Sequence, residues 1–240
     1  MTPLVTIITA TTGSDFLSRN IQSVREQSYS NIQHLVVVDG HERFEKAKRF
    51  FHDDLDVIDL PYPTGTDQYN GHRIYGGCTY FAKGDYIMYL DEDNWIDYNH
   101  VESLVEISSL DTWSCSLRKI VDHTGKFICN DDCESLGNWE SIINDYFVDV
   151  NCYFIPRRLA LQVSPLWYRR ARHPNDQPEV DRLLTYVLRE NKIECRVSGK
   201  YTVNYRAGNR QDSVQAKFFQ EGNEFMKNKY QGKFPWRNNG

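Results

Sequence analysis

Four short apolar runs, rich in β-branched residues, recur in the first ninety residues: "LVTIITA" (4–10), "HLVVVDG" (34–40), "LDVIDL" (55–60) and "DYIMYL" (85–90). Runs of this length bounded by turn residues read as buried strands. Between the first two, Thr11, Thr12, Gly13 and Ser14 break the strand and are of the types that cap a helix, and Leu17, Ile21 and Val24 follow at helical spacing to an end near Ser28. "ERFEKAKRFF" (42–51) reads as a charged helix. "PYPTGTDQYNG" (61–71) is turn-rich, and 72–83 reads as helical despite Gly76 and Gly77. This alternation predicts the α/β class, with a mostly parallel sheet flanked by helices on both faces.

The second half is less regular. "TWSCSLRKIVDHTGKFIC" (112–129) has the pattern of a hairpin turning at "DHTG", and "DVNCYFI" (149–155) that of another strand. In "PEVDRLLTYVLREN" (178–191), Val180, Leu183, Leu184, Val187 and Leu188 form one apolar stripe, with Asp176 and Glu179 at capping-box spacing. "ECRVSGKYTVNYR" (194–206) is extended, and the tail reads as helical until about Tyr230. No repeat or linker divides the chain. We expect one domain, residues 1–110 forming a nucleotide-binding half and 111–240 a mixed half.

Composition narrows the partners. Of the 240 residues, 40% are hydrophobic, enough for a sizeable core, and the net charge is −5. With no cluster of Lys or Arg, a nucleic-acid partner lacks its basic footprint. The N-terminal residues lack the charged and apolar regions of a signal peptide. No run reaches the roughly 18 apolar residues of a membrane span, which leaves peripheral membrane contact open. The 6 cysteines are scattered. Cys129 and Cys133 have no second pair or His cluster with which to bind zinc. Free thiols and the absence of an Asn-x-Ser/Thr sequon point to a cytoplasmic protein. The closing "RNNG" is abrupt, as in a domain of a longer polypeptide.

The fourth run passes directly into Asp91, Glu92 and Asp93. Three adjacent acids repel one another unless something neutralises them. Alternation along an extended chain puts Asp91 and Asp93 on one side and Glu92 on the other. Ligands of open α/β sheets bind outside the carboxyl ends of the strands. There, two acids offer hard oxygen ligands to Mg²⁺ or Mn²⁺, which bridges onward to a diphosphate. The competing reading is that the acids leave for solvent and cap a helix near residue 98.

In order and spacing, "PLVTIITATTG", "SRNIQSVREQSYSNIQHLVVVDG" and "GGCTYFAKGDYIMYLDEDN" resemble the family-two nucleotide-sugar glycosyltransferases of the GT-A fold. The likeness covers about residues 3–110 well and the rest loosely. It implies a GT-A, Rossmann-like fold and transfer of a sugar from a nucleoside-diphosphate sugar, UDP- or dTDP-linked, to a glycan or other hydroxyl acceptor. The transfer would be metal-dependent and inverting. By the same resemblance Thr9, Ala10, Thr11 and Asp39 would hold the base and ribose. A carboxylate at Asp39 suits the N–H of uracil or thymine, against a plain Asx turn with Gly40. The family's Arg-Asn before the fourth strand is not clearly kept. Arg73 is the nearest candidate for the base or diphosphate, a solvated surface position being its alternative. Asp91 and Glu92 would lie at the nucleotide, and Asp91 and Asp93 at the metal.

An inverting transfer also needs a base for the acceptor hydroxyl. The family places it at the start of a late helix, where we choose Asp181; a solvated acid paired with Arg182 or Arg189 is the alternative. Glu179 and Asp176 stay as alternates. The last histidine is His173, so a C-terminal His ligand to the metal is missing. "YRAGNRQDS" (205–213) is a loop that could close on a diphosphate, and Trp95, Trp139 and Trp167 could stack on sugar rings, although Trp is buried by default. Three other classes compete. An aspartyl-nucleophile phosphatase wants its motif near the N-terminus and a different residue after it. A nucleotide-sugar pyrophosphorylase wants a basic Gly-rich loop that "TATTGSDF" lacks. A non-catalytic nucleotide-sugar-binding protein of the same fold would not need both the acids and a base.

Overall fold

The computed structural model describes residues 2–169, 180–209 and 213–237. Its first half is a parallel sheet built from β1 (Val5–Thr11), β2 (Ile32–Val38), β3 (Asp56–Asp59) and β4 (Tyr86–Tyr89), in the order β3-β2-β1-β4. Central β1 pairs on both edges, Val5 standing opposite Ile32 on one side and Tyr86 on the other. Such a strand is buried on both faces, which is why its sequence is a continuous apolar run rather than an alternating one. The crossovers are α1 (Leu17–Arg25), a turn at His41–Arg43 leading into α2 (Phe44–Lys48), and α3 (His72–Cys78).

The chain then makes a two-residue strand β5 (Trp95–Ile96), helix α4 (His100–Val105) and the hairpin β6 (Trp113–Val121) and β7 (Phe127–Asn130), turning at 122–126. After β8 (Tyr153–Pro156) come α5 (Arg157–Val163), α6 (Val180–Glu190), β9 (Cys195–Arg206) and α7 (Ala216–Lys229). β8 runs antiparallel to both β4 and β6, so it joins the two halves of one 9-stranded sheet. β9 lies parallel to β6 and antiparallel to β5.

Several expectations are corrected. The sheet is mixed, as a GT-A fold implies, but with more antiparallel pairing than expected: its first half is all parallel, and in the second only β6–β9 is parallel among the described strands. The 149–155 run opens with a 3-10 turn at Val150–Cys152, because Asp149 caps it by accepting from the Asn151 amide. Of residues 11–14, Ser14 alone serves the start of α1, its Oγ accepting from the Phe16 amide at 3.3 Å and its carbonyl from the Leu17 amide at 3.1 Å; the N-cap position itself is Phe16, without a side-chain cap bond. Strand β5 and helices α4 and α5 are not legible as periodic runs.

The main core packs Ile7, Ile87, Phe154 and Trp167 between sheet and helices; each such fully buried side chain contributes about 1.5–3 kcal/mol. Gly76 sits mid-helix because a Cβ there would lie 2.7 Å from the Tyr168 ring and 3.0 Å from Trp167 Cβ. A second cluster, with Leu117, Phe219 and Trp236, lies under α7. The cysteines are free thiols, and all but Cys129 are buried. Among the described residues no helix is long and apolar enough to cross a membrane.

Candidate active site

The carboxyl ends of β1, β2 and β4 open on a cleft of about 480 Å³, closed on the far side by residues 149–150, the start of α6 and the end of β9. Ala10, Thr11, Asp39, Asp91, Glu92, Asp93, Asp149 and Asp181 all line it.

The three adjacent acids are handled separately. After β4 the chain turns, the Asn94 amide donating to the Asp91 carbonyl at 3.0 Å, so extended alternation does not persist. Glu92 reaches back to the loop after β1. Its carboxylate accepts from Thr11 Oγ1 (2.6 Å), the Thr12 amide (3.2 Å), Thr12 Oγ1 (2.6 Å) and the Ser14 amide (3.1 Å). Those donors were expected to cap α1 or hold ribose; instead they neutralise an acid, and Glu92 is a latch more than a nucleotide ligand. Asp91 accepts from Tyr75 Oη (2.5 Å) and Asn151 Nδ2 (3.0 Å), while its amide donates to Asn151 Oδ1 (2.7 Å). Burial first, and the Asp93 charge second, push its carboxyl up to about 7. Asp93 accepts from Asn209 Nδ2, and its carbonyl accepts from Arg206 Nε at 3.1 Å.

Two of the predicted nucleotide contacts sit elsewhere. Thr9 faces away from the cleft into the α1 interface, its Oγ1 bonded to His34 Nε2 (3.0 Å) and Asn20 (3.3 Å). Arg73 donates to the Thr64 carbonyl (2.9 Å) and Thr66 Oγ1 (3.2 Å), and lies 3.8 Å over the Tyr69 ring. It clips the 64–70 loop and does not line the cleft. Asp39 does line it. The Asx turn with Gly40 is not what occupies its carboxylate: Oδ1 accepts from the Thr64 amide (2.5 Å) and Oγ1 (2.8 Å), and Oδ2 from the Gly65 amide (3.1 Å) and Arg43 (3.2 Å). The loop can come this close because residue 65 is glycine, a Cβ there falling 2.7 Å from the Asn70 carbonyl oxygen.

Asp181 stands in the first turn of α6. Its ion-pair alternatives are engaged elsewhere: Arg182 pairs with Glu134 at 3.0 Å and Arg189 stacks 3.3 Å over Tyr146. Burial, then the negative charge of Asp149, raise the Asp181 carboxyl to about 7. A group that titrates there is both ionised and basic enough at neutral pH to take a proton. Asp176, Glu179, His173 and residues 210–212 lie outside the described residues. Of the three tryptophans, Trp167 is fully buried, Trp95 is covered by Arg19 at 3.4 Å, and Trp139 packs on Trp236; none lines the cleft.

The sequence reading missed His72, Asp149 and Asn151, and had Arg206 only within the 205–213 loop expected to close on a diphosphate, whereas it ends β9. Asn151 carried a signal, an amide inside the apolar run "DVNCYFI", because a buried polar side chain must be satisfied. His72 lines the cleft, stacked on Trp167 at 5.6 Å, and burial lowers its imidazole to about 4, so it is neutral. Among the described lining residues Arg206 is the one cation beside six carboxylates. No group of three or more His, Cys, Asp or Glu among the described residues is set to hold a metal ion unaided. The hard-oxygen pair Asp91 and Asp93 fits Mg²⁺ or Mn²⁺ completing its shell with diphosphate and water.

A parallel β3-β2-β1-β4 sheet extended by antiparallel strands, with an acid-bearing turn opening on a cleft, defines the GT-A fold of nucleotide-sugar enzymes. Residues 5–111 match the glycosyl transferase family 2 model. Solved structures of S. aureus TarS share the architecture over 85% of this chain: one at 15% identity and TM-score 0.59, TarS 1-349 with UDP-GlcNAc at 14% and 0.62, and TarS 1-349 with UDP at 15% and 0.58. At such identity the likeness speaks to the fold. The chain spans 37% of the first of these and 58% and 60% of the other two. No curated protein matches the sequence.

Proposed function

We propose that this protein transfers a sugar from a UDP-sugar to an acceptor hydroxyl, with inversion at the anomeric carbon and with the help of Mg²⁺ or Mn²⁺. The observation that carries this reading is that Asp181 shares one cleft with Asp91 and Asp93 and has its carboxyl raised to about 7. The acceptor oxygen attacks the anomeric carbon, the bond to the diphosphate oxygen breaks, and Asp181 takes the hydroxyl proton. Asp91 and Asp93 would hold the cation, which offsets the charge developing on the leaving diphosphate. The charge balance favours such an ion: a diphosphate entering a cleft whose described lining holds six carboxylates and one arginine gains from a counter-charge.

Asp39 suits the N–H of uracil or thymine, and of these uridine is in keeping with the TarS structures that contain UDP and UDP-GlcNAc. A uracil N–H would displace the longer contacts on Asp39 Oδ2, from Gly65 or Arg43. In this reading residues 1–110 hold the donor and residues 111–240 receive the acceptor and supply the base, in a protein whose free thiols suit the cytoplasm.

Calorimetric titration of UDP, dTDP, GDP and ADP, each with Mn²⁺ and with EDTA, tests it. UDP is expected to bind only with the metal. Asp181→Asn is expected to keep UDP affinity within about twofold and lose turnover by about a thousandfold, with product anomeric NMR reporting inversion. No nucleotide binding under either condition overturns the reading, and full activity of Asp181→Asn moves the base elsewhere.

A further inference from the structure

Behind the cleft lies a buried ion cluster that the roles above do not use. Arg118 on β6 is 1% exposed. Its Nε donates to Asp131 (2.8 Å), Nη1 to Asp149 and Nη2 to Glu134, while Tyr205 and Phe219 lie 4.4 Å and 5.2 Å from the guanidinium. The other Glu134 oxygen accepts from Arg182 Nη2 at 3.0 Å. At the opposite end, Asn151 Nδ2 donates to Asp149 Oδ1 (2.8 Å) and to Asp91 Oδ2 (3.0 Å). A continuous chain of contacts thus runs Asp91, Asn151, Asp149, Arg118, Glu134, Arg182, and the next residue along α6 is Asp181.

Well-packed apolar side chains in place of such a cluster are often as stable or more so, so stability is a weak reason to build it. An apolar stripe gives α6 affinity for the core through Leu184 and Leu188, but it does not fix the helix along its axis. Directional contacts do. Among the described residues they include the Arg182–Glu134 pair, Phe147 at 4.8 Å from the Arg182 guanidinium, Tyr153 Oη donating to the Asp181 carbonyl at 2.9 Å, and the Val148 amide donating to Thr185 Oγ1 at 3.2 Å. We propose that Arg182, held through Glu134 by Arg118, is a positioning residue that sets Asp181 at a fixed place relative to the Asp91–Asp93 turn. This rests on Asp181 being the base. Among the described residues, the charged and titratable groups facing Asp181 are Asp149, Glu134, Arg182 and Tyr153.

The test compares Arg182→Gln, Arg182→Lys, Asp181→Asn and the Arg182→Gln/Asp181→Asn double variant in the full chain. The readouts are UDP release from whichever UDP-sugar the wild type turns over fastest, UDP affinity and Tm. Arg182 is partly exposed and Glu134 keeps Arg118, so Arg182→Gln does not leave Glu134 unpaired. We expect it to lower kcat about tenfold or more, the scale of a small misplacement, with UDP affinity within about twofold. Because the Arg182 charge lowers the Asp181 carboxyl, its loss moves the acid limb of the kcat profile to higher pH. Arg182→Lys recovers most of kcat. In the Asp181→Asn background Arg182→Gln costs nothing further, as expected when two residues act as one unit.

Wild-type kcat in Arg182→Gln overturns the inference. So does a parallel fall of kcat, UDP affinity and Tm that Arg182→Lys fails to rescue, which marks a scaffold role alone. If Asp181→Asn is fully active, or the wild type turns over no UDP-sugar, it is the functional reading that fails, and the inference falls with it.

Discussion

A carboxyl held near neutrality inside a cleft costs the fold something, and the cost is measurable at Asp181. Its folded value of about 7 lies well above the ordinary carboxylate value of 3.8. The group therefore favours the folded state fully only below its unfolded pKa, and that contribution is lost as pH rises through the folded value. Replacing Asp181 by Asn removes the penalty. The Tm of Asp181→Asn is expected to match wild type near pH 4, to pull ahead as pH rises, and to hold a constant lead above about pH 7. Equal Tm values across that range would show that Asp181 is well solvated and poorly placed to act as a base. Where a residue lies was only partly legible beforehand. Asp39, Asp91, Asp93 and Asp181 were expected at the site, and all line the cleft. Thr9 and Arg73 were expected there too and do not line it, because whether a strand-end threonine or a loop arginine faces the cleft depends on contacts with His34 and with the 64–66 turn, far away or irregular in sequence.

Among the elements, strands were the easiest to anticipate, since a strand buried on both faces must be apolar throughout. Short pieces fixed by tertiary contact were the hardest: β5 has two residues and exists because β9 passes beside it. The loop after β1 and the turn after β4 behave as one element, joined through the four Glu92 contacts. Glu92→Gln exchanges an acceptor pair for one acceptor and one donor, leaving part of the set unmatched. Glu92 is half-buried, so the cost falls below the roughly 1–3 kcal/mol of a fully buried unsatisfied group, and a modestly lower Tm and weakened UDP binding are expected in the same variant. Unchanged UDP affinity alongside the lower Tm would uncouple the latch from the cleft.

Across the molecule, Arg118 ties β6, the 131–134 segment, residue 149, β9 through Tyr205 and α7 through Phe219. Nothing in "SLRKIV" marks that arginine as internal, since its three carboxylates come from 13 to 31 residues downstream. Arg118→Met would strand those acids in the core. By the usual cost of breaking a buried pair, about 3–5 kcal/mol, it should sharply lower the denaturant midpoint in equilibrium unfolding, whereas a shift within error would mean that water reaches the cluster.

The parallel pairing of β6 with β9 also bears on how the chain acquires its structure. Trp113 meets Cys195 and Val121 meets Arg206, so the long strand of the hairpin waits for a partner more than seventy residues later. Loop closure of that span must be completed before its contacts stabilise anything. On a ribosome the β3-β2-β1-β4 unit can assemble early, with β6 left as a sticky edge until residue 206 has emerged. Chaperone dependence in this protein should therefore concentrate in the second half of its synthesis, well after the donor-side strands are made.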